Sequence, residues 1–292
     1  MKFKLILKKL FLYALVASGF VGAVNYLVFL LVKIRYKHAK PAKKIYKWRH
    51  GKISYSVCGK GEPILLVHGV GPGRSGDEWD KAAVFFAKAY QVYIIDLLGF
   101  GLSDSPKIDY SSYLYSTLIN EFTKDVIGGK TSVITQGLSG AYAAFAYTMS
   151  PEIYNKIIIV DAKPGEEIKW VDIGSGIFKD YRRLIVHAIR TPIIGTLIYN
   201  IYTSRPFIRN YLQGLYGKGS SAARGLLDKH YIFAHIKGPG ARYLMRAYIA
   251  GYLYADINRA DKNLANLKLI IAKGMPYVEN PLWFYEKVLN IL

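Results

Sequence analysis

The chain has 292 residues, enough for one large core or for a core carrying an inserted subdomain. Apolar residues make up 52% of it and tyrosine alone contributes 25, a composition that excludes a disordered chain. The formal charge of +20 is densest directly beside an apolar run, so it points to a membrane surface and no nucleic-acid partner is expected.

That run, LFLYALVASGFVGAVNYLVFLLV at 10–32, carries no charge and reaches the roughly 20 residues of a bilayer span. A signal peptide is the competing interpretation. It would be shorter and end at a small-residue cleavage site, whereas this run ends in FLLVK. We therefore expect an N-terminal segment 1–33 with one transmembrane helix over about 10–32, then a basic juxtamembrane linker at 34–49. Lys2, Lys4, Lys8 and Lys9 precede the span, while Lys33, Arg35, Lys37, Lys40, Lys43, Lys44, Lys47 and Arg49 follow it. The heavier flank predicts a single-pass protein with its larger domain on the cytoplasmic face. The same segment would hold anionic headgroups, which makes the membrane the expected partner. Cys58 is the only cysteine, so an intrachain disulfide is excluded.

Beyond the linker, GKISYSVCG (51–59) alternates like a half-exposed hairpin strand. PILLVHG (63–69) and QVYIIDLLG (91–99) are apolar runs of the buried parallel-strand type, with a helical stretch, WDKAAVFFAKAY, between them. TSVIT (131–135) and KIIIVDA (156–162) repeat the pattern around the helix SGAYAAFAYTM. Strands alternating with helices predict an α/β fold, a mostly parallel sheet covered on both faces.

The first buried strand runs into HGVGPGRSGDEW. Gly71, Gly73 and Gly76 fit G-x-G-x-x-G, and Asp96 follows at the end of the next strand, which is the outline of a dinucleotide fingerprint. In that fingerprint the glycines open a helix directly, and here RSGDEW intervenes. A glycine turn without ligand is the plainer alternative.

Asp96 has a further explanation in DLLGFGLSDSP, 96–106. Together with LLVHGVG it resembles the α/β-hydrolase family, in which a His-Gly turn and a D-x-x-G-x-G-x-S segment flank the active site. The similarity runs from about residue 50 to 164 and resumes in MPYVENPLWFYEKVLNIL, 275–292. The resemblance implies a hydrolase core at 50–165 and 256–292, an inserted helical cap at 166–255, and no cofactor or metal.

It also implies a nucleophile elbow, small-x-nucleophile-x-small, between strand and helix. In VITQGLSGAY that register puts Thr135 and Ser139 at the small positions and Gly137, which has no side chain, at the nucleophile. A shifted register makes Ser139 the apex, with Gly137 and Ala141 as the small residues. The histidine position matches Gly274, and no histidine occurs after His235. The segment that would carry the acid is shortened, leaving Asp161 as the candidate acid, with a turn-capping role as its simpler explanation. The oxyanion donors would be backbone N–H groups around Gly69, Val70 and Leu138. The expected protein is thus a membrane-anchored family member without a competent triad, binding an apolar or ester-like molecule or a partner. The alternative is an active esterase- or lipase-like serine hydrolase that uses Ser139 with an atypical base.

Overall fold

The computed structural model describes residues 2–36, 43–160, 177–257, 267–270 and 275–292. A single helix, α1 (Lys2–Tyr36), precedes a seven-stranded sheet. Its strands are β1 (Lys44–Trp48), β2 (Gly51–Cys58), β3 (Glu62–Val67), β4 (Tyr90–Ile95), β5 (Thr131–Gln136), β6 (Tyr154–Val160) and β7 (Leu267–Ile270). Their order across the sheet is β1-β2-β4-β3-β5-β6-β7, antiparallel for β1 and β2 and parallel from β4 to β7.

The apolar runs form strands because both faces of the sheet are buried. Along β3, Leu65 and Val67 face one core while Ile64 and Leu66 face the other. Tyr93 and Ile95 against Val92 and Ile94 repeat the division in β4, as do Ile157 and Ile159 against Ile158 in β6. One face is covered by α3 (Ser112–Phe122) and α4 (Ser139–Met149), through Tyr115, Leu118, Phe122 and Tyr142. The other is covered by α2 (Asp80–Phe86) and α11 (Pro281–Leu289), with Trp79, Phe86, Phe284 and Val288 at its centre. A short helix, α10 (Pro276–Glu279), precedes α11.

Between β6 and β7 lie α5 (Ile177–Ala188), α6 (Pro192–Tyr202), α7 (Arg205–Tyr216), α8 (Ser221–His235) and α9 (Arg242–Ala250). Two of them show their boundary signals plainly. Thr191 caps α6 by accepting from the Gly195 N–H, and Pro192 occupies its first turn. Gly251, at φ +84°, ends α9 in the left-handed conformation.

The expected basic linker at 34–49 is corrected. The helix continues through Arg35 to Tyr36, and Lys44–Trp48 belongs to the sheet as its edge strand, paired with β2. Lys44 and Lys47 on this edge strand look like part of a charged linker in sequence, but charge also protects an exposed edge from further pairing. Lys43 is not a headgroup contact either: its ammonium bonds Asp77 at 2.7 Å and the buried Asp96 at 3.0 Å. Although burial would lower its pKa, the Asp96 and Asp77 carboxylates push it up.

Asp96 explains the D-x-x-G-x-G-x-S motif. Its carboxylate accepts from the Gly76 N–H at 2.7 Å and the Leu102 N–H at 3.0 Å, besides Lys43. Gly101 turns at φ +49°, and a Cβ there would stand 2.5 Å from the Asp96 carboxyl carbon. Ser103 donates to the Asp96 carbonyl at 2.6 Å and accepts from the Ser54 N–H at 2.8 Å. The dinucleotide outline falls with this. Asp96 is spent on the protein's own donors, and Gly76 opens only a four-residue 3₁₀ turn.

α4 packs closely on the sheet at Gly140, where a Cβ would lie 2.2 Å from the Ile159 Cγ2. Gly140→Ala is expected to cost about 1–3 kcal/mol through overpacking. Denaturant midpoints check this, and the cost of Gly140→Ala with Ile159→Ala should fall below the sum of the two single variants.

Candidate active site

The site is built at the carboxyl ends of β3, β4 and β5, where an open parallel sheet leaves a crevice for ligands. After β5 the chain reverses at Gly137, at φ +57°, with its N–H on the Val160 carbonyl at 2.9 Å. Only glycine adopts that conformation without strain. The Gly140 N–H closes the turn on the Gly137 carbonyl at 2.9 Å. Ser139 is the first residue of α4 and is fully buried. Its hydroxyl donates back to the Gln136 carbonyl at 2.8 Å, the local backbone bond that helix-start serines favour. Among the described residues no histidine bonds it. Leu138 is half-buried beside it, and Asp161 and Gly274 lie outside the described residues.

A charged pair that sequence reasoning missed stands in front of this turn. Arg74 and Glu78 are both nearly inaccessible, with Arg74 Nε 2.8 Å from Glu78 Oε2 and Nη2 3.1 Å from Oε1. The other side of the guanidinium donates from Nη2 to Gln136 Oε1 at 2.8 Å, the residue directly before Gly137. Glu78 Oε1 accepts from the Gly69 N–H at 3.0 Å and from the Tyr277 hydroxyl at 3.0 Å. The Tyr277 hydroxyl lies against Gln136 Oε1 as well, sharing its one proton between the two acceptors, and its ring stacks on Trp79 with centroids 4.0 Å apart. Tyr211 of α7 and Met275, just before α10, complete the surround of Arg74. Although burial alone would lower the guanidinium's pKa, Glu78 holds it up and the group stays charged. Burial pushes the Glu78 carboxyl up, and Arg74 opposes that rise.

The glycine turn is shaped by these neighbours. A Cβ at Gly69 would stand 2.2 Å from Arg74 Nη2, one at Gly71 would stand 2.4 Å from the Tyr211 hydroxyl, and one at Gly73 would stand 1.9 Å from the His230 carbonyl. The glycines therefore admit the guanidinium and the inserted helices. Gly69 is corrected as a ligand donor, because Glu78 already takes its N–H. Val70 lines a cavity of about 40 Å³ with Phe100, Tyr199, Tyr202, Leu244 and Tyr248, while Leu138 is not among its lining residues. That volume holds a few waters at most.

The buried histidines are engaged elsewhere. His68 accepts from the Leu97 N–H at Nε2, 3.0 Å, so its Nδ1–H donates to the Gly69 carbonyl at 2.7 Å. His230 Nδ1 lies 2.8 Å from the Pro72 carbonyl, and His235 contacts Tyr231 and Thr203 through its two nitrogens. Burial pushes both His68 and His230 down to about 4.

The model of the alpha/beta hydrolase family matches residues 64–276. The chain belongs to the alpha/beta hydrolase family. Among curated relatives of this α/β-hydrolase chain is a 2-hydroxy-6-oxo-6-(2'-aminophenyl)hexa-2,4-dienoic acid hydrolase of Metapseudomonas resinovorans. It is 29% identical over 36% of this chain and 37% of the relative. A soluble epoxide hydrolase of a Corynebacterium species is 25% identical over 39% of each. The chain thus spans little more than a third of the length of these relatives. The solved structure of epoxide hydrolase CorEH has a TM-score of 0.62 at 17% identity, over 86% of this chain and 98% of that one. A serine hydrolase of carbazole degradation, the CarC enzyme, reaches 0.64 at 17% identity over the same shares. At that identity the likeness is one of fold.

Two opposite charges four residues apart in RSGDE, within an otherwise glycine-rich turn after a buried strand, were the signal available for Arg74 and Glu78. Their packing against Gln136 and Tyr277 was not available, since those partners lie far along the chain.

The histidines give this α/β-hydrolase chain a pH dependence of definite sign. Both rings are neutral in the fold, so stability is complete above the ordinary histidine value near 6.5 and is lost as pH falls toward about 4. The loss is expected to reach roughly 3 kcal/mol for each ring. Urea midpoints of the full chain in detergent across this range check it, and His230→Gln should flatten the slope.

Proposed function

We propose that this chain is a membrane-anchored α/β-hydrolase family protein in which Gly137 holds the nucleophile position and Gly274 the histidine position. It binds an apolar or ester-like molecule, or a partner, and does not hydrolyse esters through a serine. The observation that carries this is the pairing of a left-handed glycine at the turn with a buried guanidinium on the adjacent Gln136. A nucleophile needs a base within hydrogen-bond reach, and the ground before Gly137 is taken by Arg74 and Glu78. Helices α5–α9 act as the cap.

The second reading, an active serine hydrolase using Ser139, is favoured by the hydrolase names of the relatives. A fluorophosphonate probe separates the two. We expect no labelling of the wild-type chain and little p-nitrophenyl ester turnover by Gly137→Ser, because among the described residues no histidine stands ready to take the proton. Wild-type labelling abolished by Ser139→Ala would establish the second reading instead.

The anchor rests on α1, whose stretch Leu15–Tyr36 has a mean hydropathy of 2.2 and is only 11% buried by the rest of the chain. Such a helix has the length and apolarity to cross a bilayer. With the heavier basic flank after the span, the folded domain stands on the cytoplasmic face. Alkaline carbonate washing is expected to leave the full chain in the membrane pellet, and recovery of a soluble chain would contradict the anchor.

A further inference from the structure

α6, PIIGTLIYNIY, carries no charge, and both of its faces are apolar. Its inner face buries Tyr199 and Tyr202 against α9, whereas Ile194 and Ile201, one heptad apart, are 56% and 60% exposed. A helix that is apolar all round is at home in a core or a membrane, and eleven residues are too few to span one.

α1 shows what lies over the outer face. Asn25, in the middle of the uncharged stretch, donates to the Ile193 carbonyl at 3.3 Å and accepts from the Asn200 side chain at 2.7 Å. The interior of an apolar helix is thus hydrogen-bonded to both ends of α6. Phe29 of α1 meets His235 of α8 with ring centroids 5.6 Å apart, and Arg35 reaches Asp228 at 3.5 Å. Asn25 is roughly 16 Å along the helix axis from Tyr36 at 1.5 Å per residue, well inside the stretch that an anchor would place at or below the headgroups. Arg190 before α6 is 54% exposed, and Arg205 follows it, so a basic residue stands at each end of an uncharged segment. Both guanidiniums lie against carboxylates of the protein, Arg190 at 3.9 Å from Asp109 and Arg205 on Asp228.

We infer that α6 lies in the acyl boundary of the bilayer beside α1, with Ile194 and Ile201 among the lipid chains. The occupant of this apolar face is the lipid surface, and the inference rests on the membrane-anchor reading above. It deepens that reading, because the inner face of the same helix supplies Tyr199, Tyr202 and the following Thr203 to the cavity. An apolar ligand then reaches the cavity past α6 from the bilayer, without crossing water.

The test uses the full chain with Cys58→Ser as background, in phosphatidylcholine vesicles containing phosphatidylglycerol. Single variants Ile194→Cys, Ile201→Cys, Phe20→Cys on α1 and Val84→Cys on α2 carry a nitroxide. Power-saturation spectroscopy reads the ratio of accessibility to oxygen and to a water-soluble nickel chelate. Val84 is 71% exposed on the sheet domain and serves as the aqueous reference. The labels at 194 and 201 are expected to give ratios several-fold above that at 84 and close to that at 20. If the label at 20 lies in the membrane while 194 and 201 match 84, the anchor stands and the position of α6 is wrong. If none lies in the membrane, the anchor itself fails and takes this inference with it. Protection from both reagents, with dipolar broadening between chains, would show a second copy on this face and overturn the lipid assignment.

Discussion

The Arg74–Glu78 ion pair is the interaction on which the arrangement of the site depends. Two charges removed from water are costly, and they are tolerated only where the remaining donors and acceptors are met. Here the Gly69 N–H, Gln136 and the Tyr277 hydroxyl meet them, from three separate parts of the chain. The pair thereby ties the turn after β3, the end of β5 and the segment leading into α11 into one unit. Tyr211 adds α7, so the inserted helices are held to the same point. What stands at the strand ends is a buried ion pair, hydrogen-bonded through Arg74 Nη2 and Glu78 Oε1 and facing a small cavity.

Asp96 plays the same part for the neighbouring loop. It collects two backbone N–H groups and an ammonium that comes from just after α1. Lys43 therefore links the helix-bearing N-terminus to the heart of the sheet. That link, together with Asn25 on α6 and Arg35 on Asp228, fixes α1 against the folded domain.

Much of the sheet was legible in the sequence, because β3, β4 and β6 are buried on both faces and so end in apolar runs, with Val133 and Ile134 marking β5 between polar residues. The Asp96 loop was legible through its glycines: Gly101 admits the Asp96 carboxylate, and Gly99 admits Tyr110 and Leu244. The edge strand β1 was hidden because Lys44 and Lys47 interrupt it, and an edge strand needs charge where a central strand forbids it. In the site, the place of the turn between β5 and α4 could be read from small residues around Gly137. What fills its front could not, since Arg74 and Gln136 are 62 positions apart and nothing local announces their hydrogen bond. The roles of His230 and Tyr211 were hidden for the same reason: they close on glycines far away in sequence.

The site holds together only if the guanidinium and the carboxylate are coupled where they lie. A double-mutant cycle with Arg74→Met, Glu78→Gln and both together, read by chemical denaturation of the full chain in detergent, measures this directly. Each single variant is expected to cost about 3–5 kcal/mol, because it leaves an uncompensated buried group, and the double variant should cost clearly less than their sum. Single variants that cost under about 1 kcal/mol and add without coupling would contradict it, since the pair would then not be holding the site together.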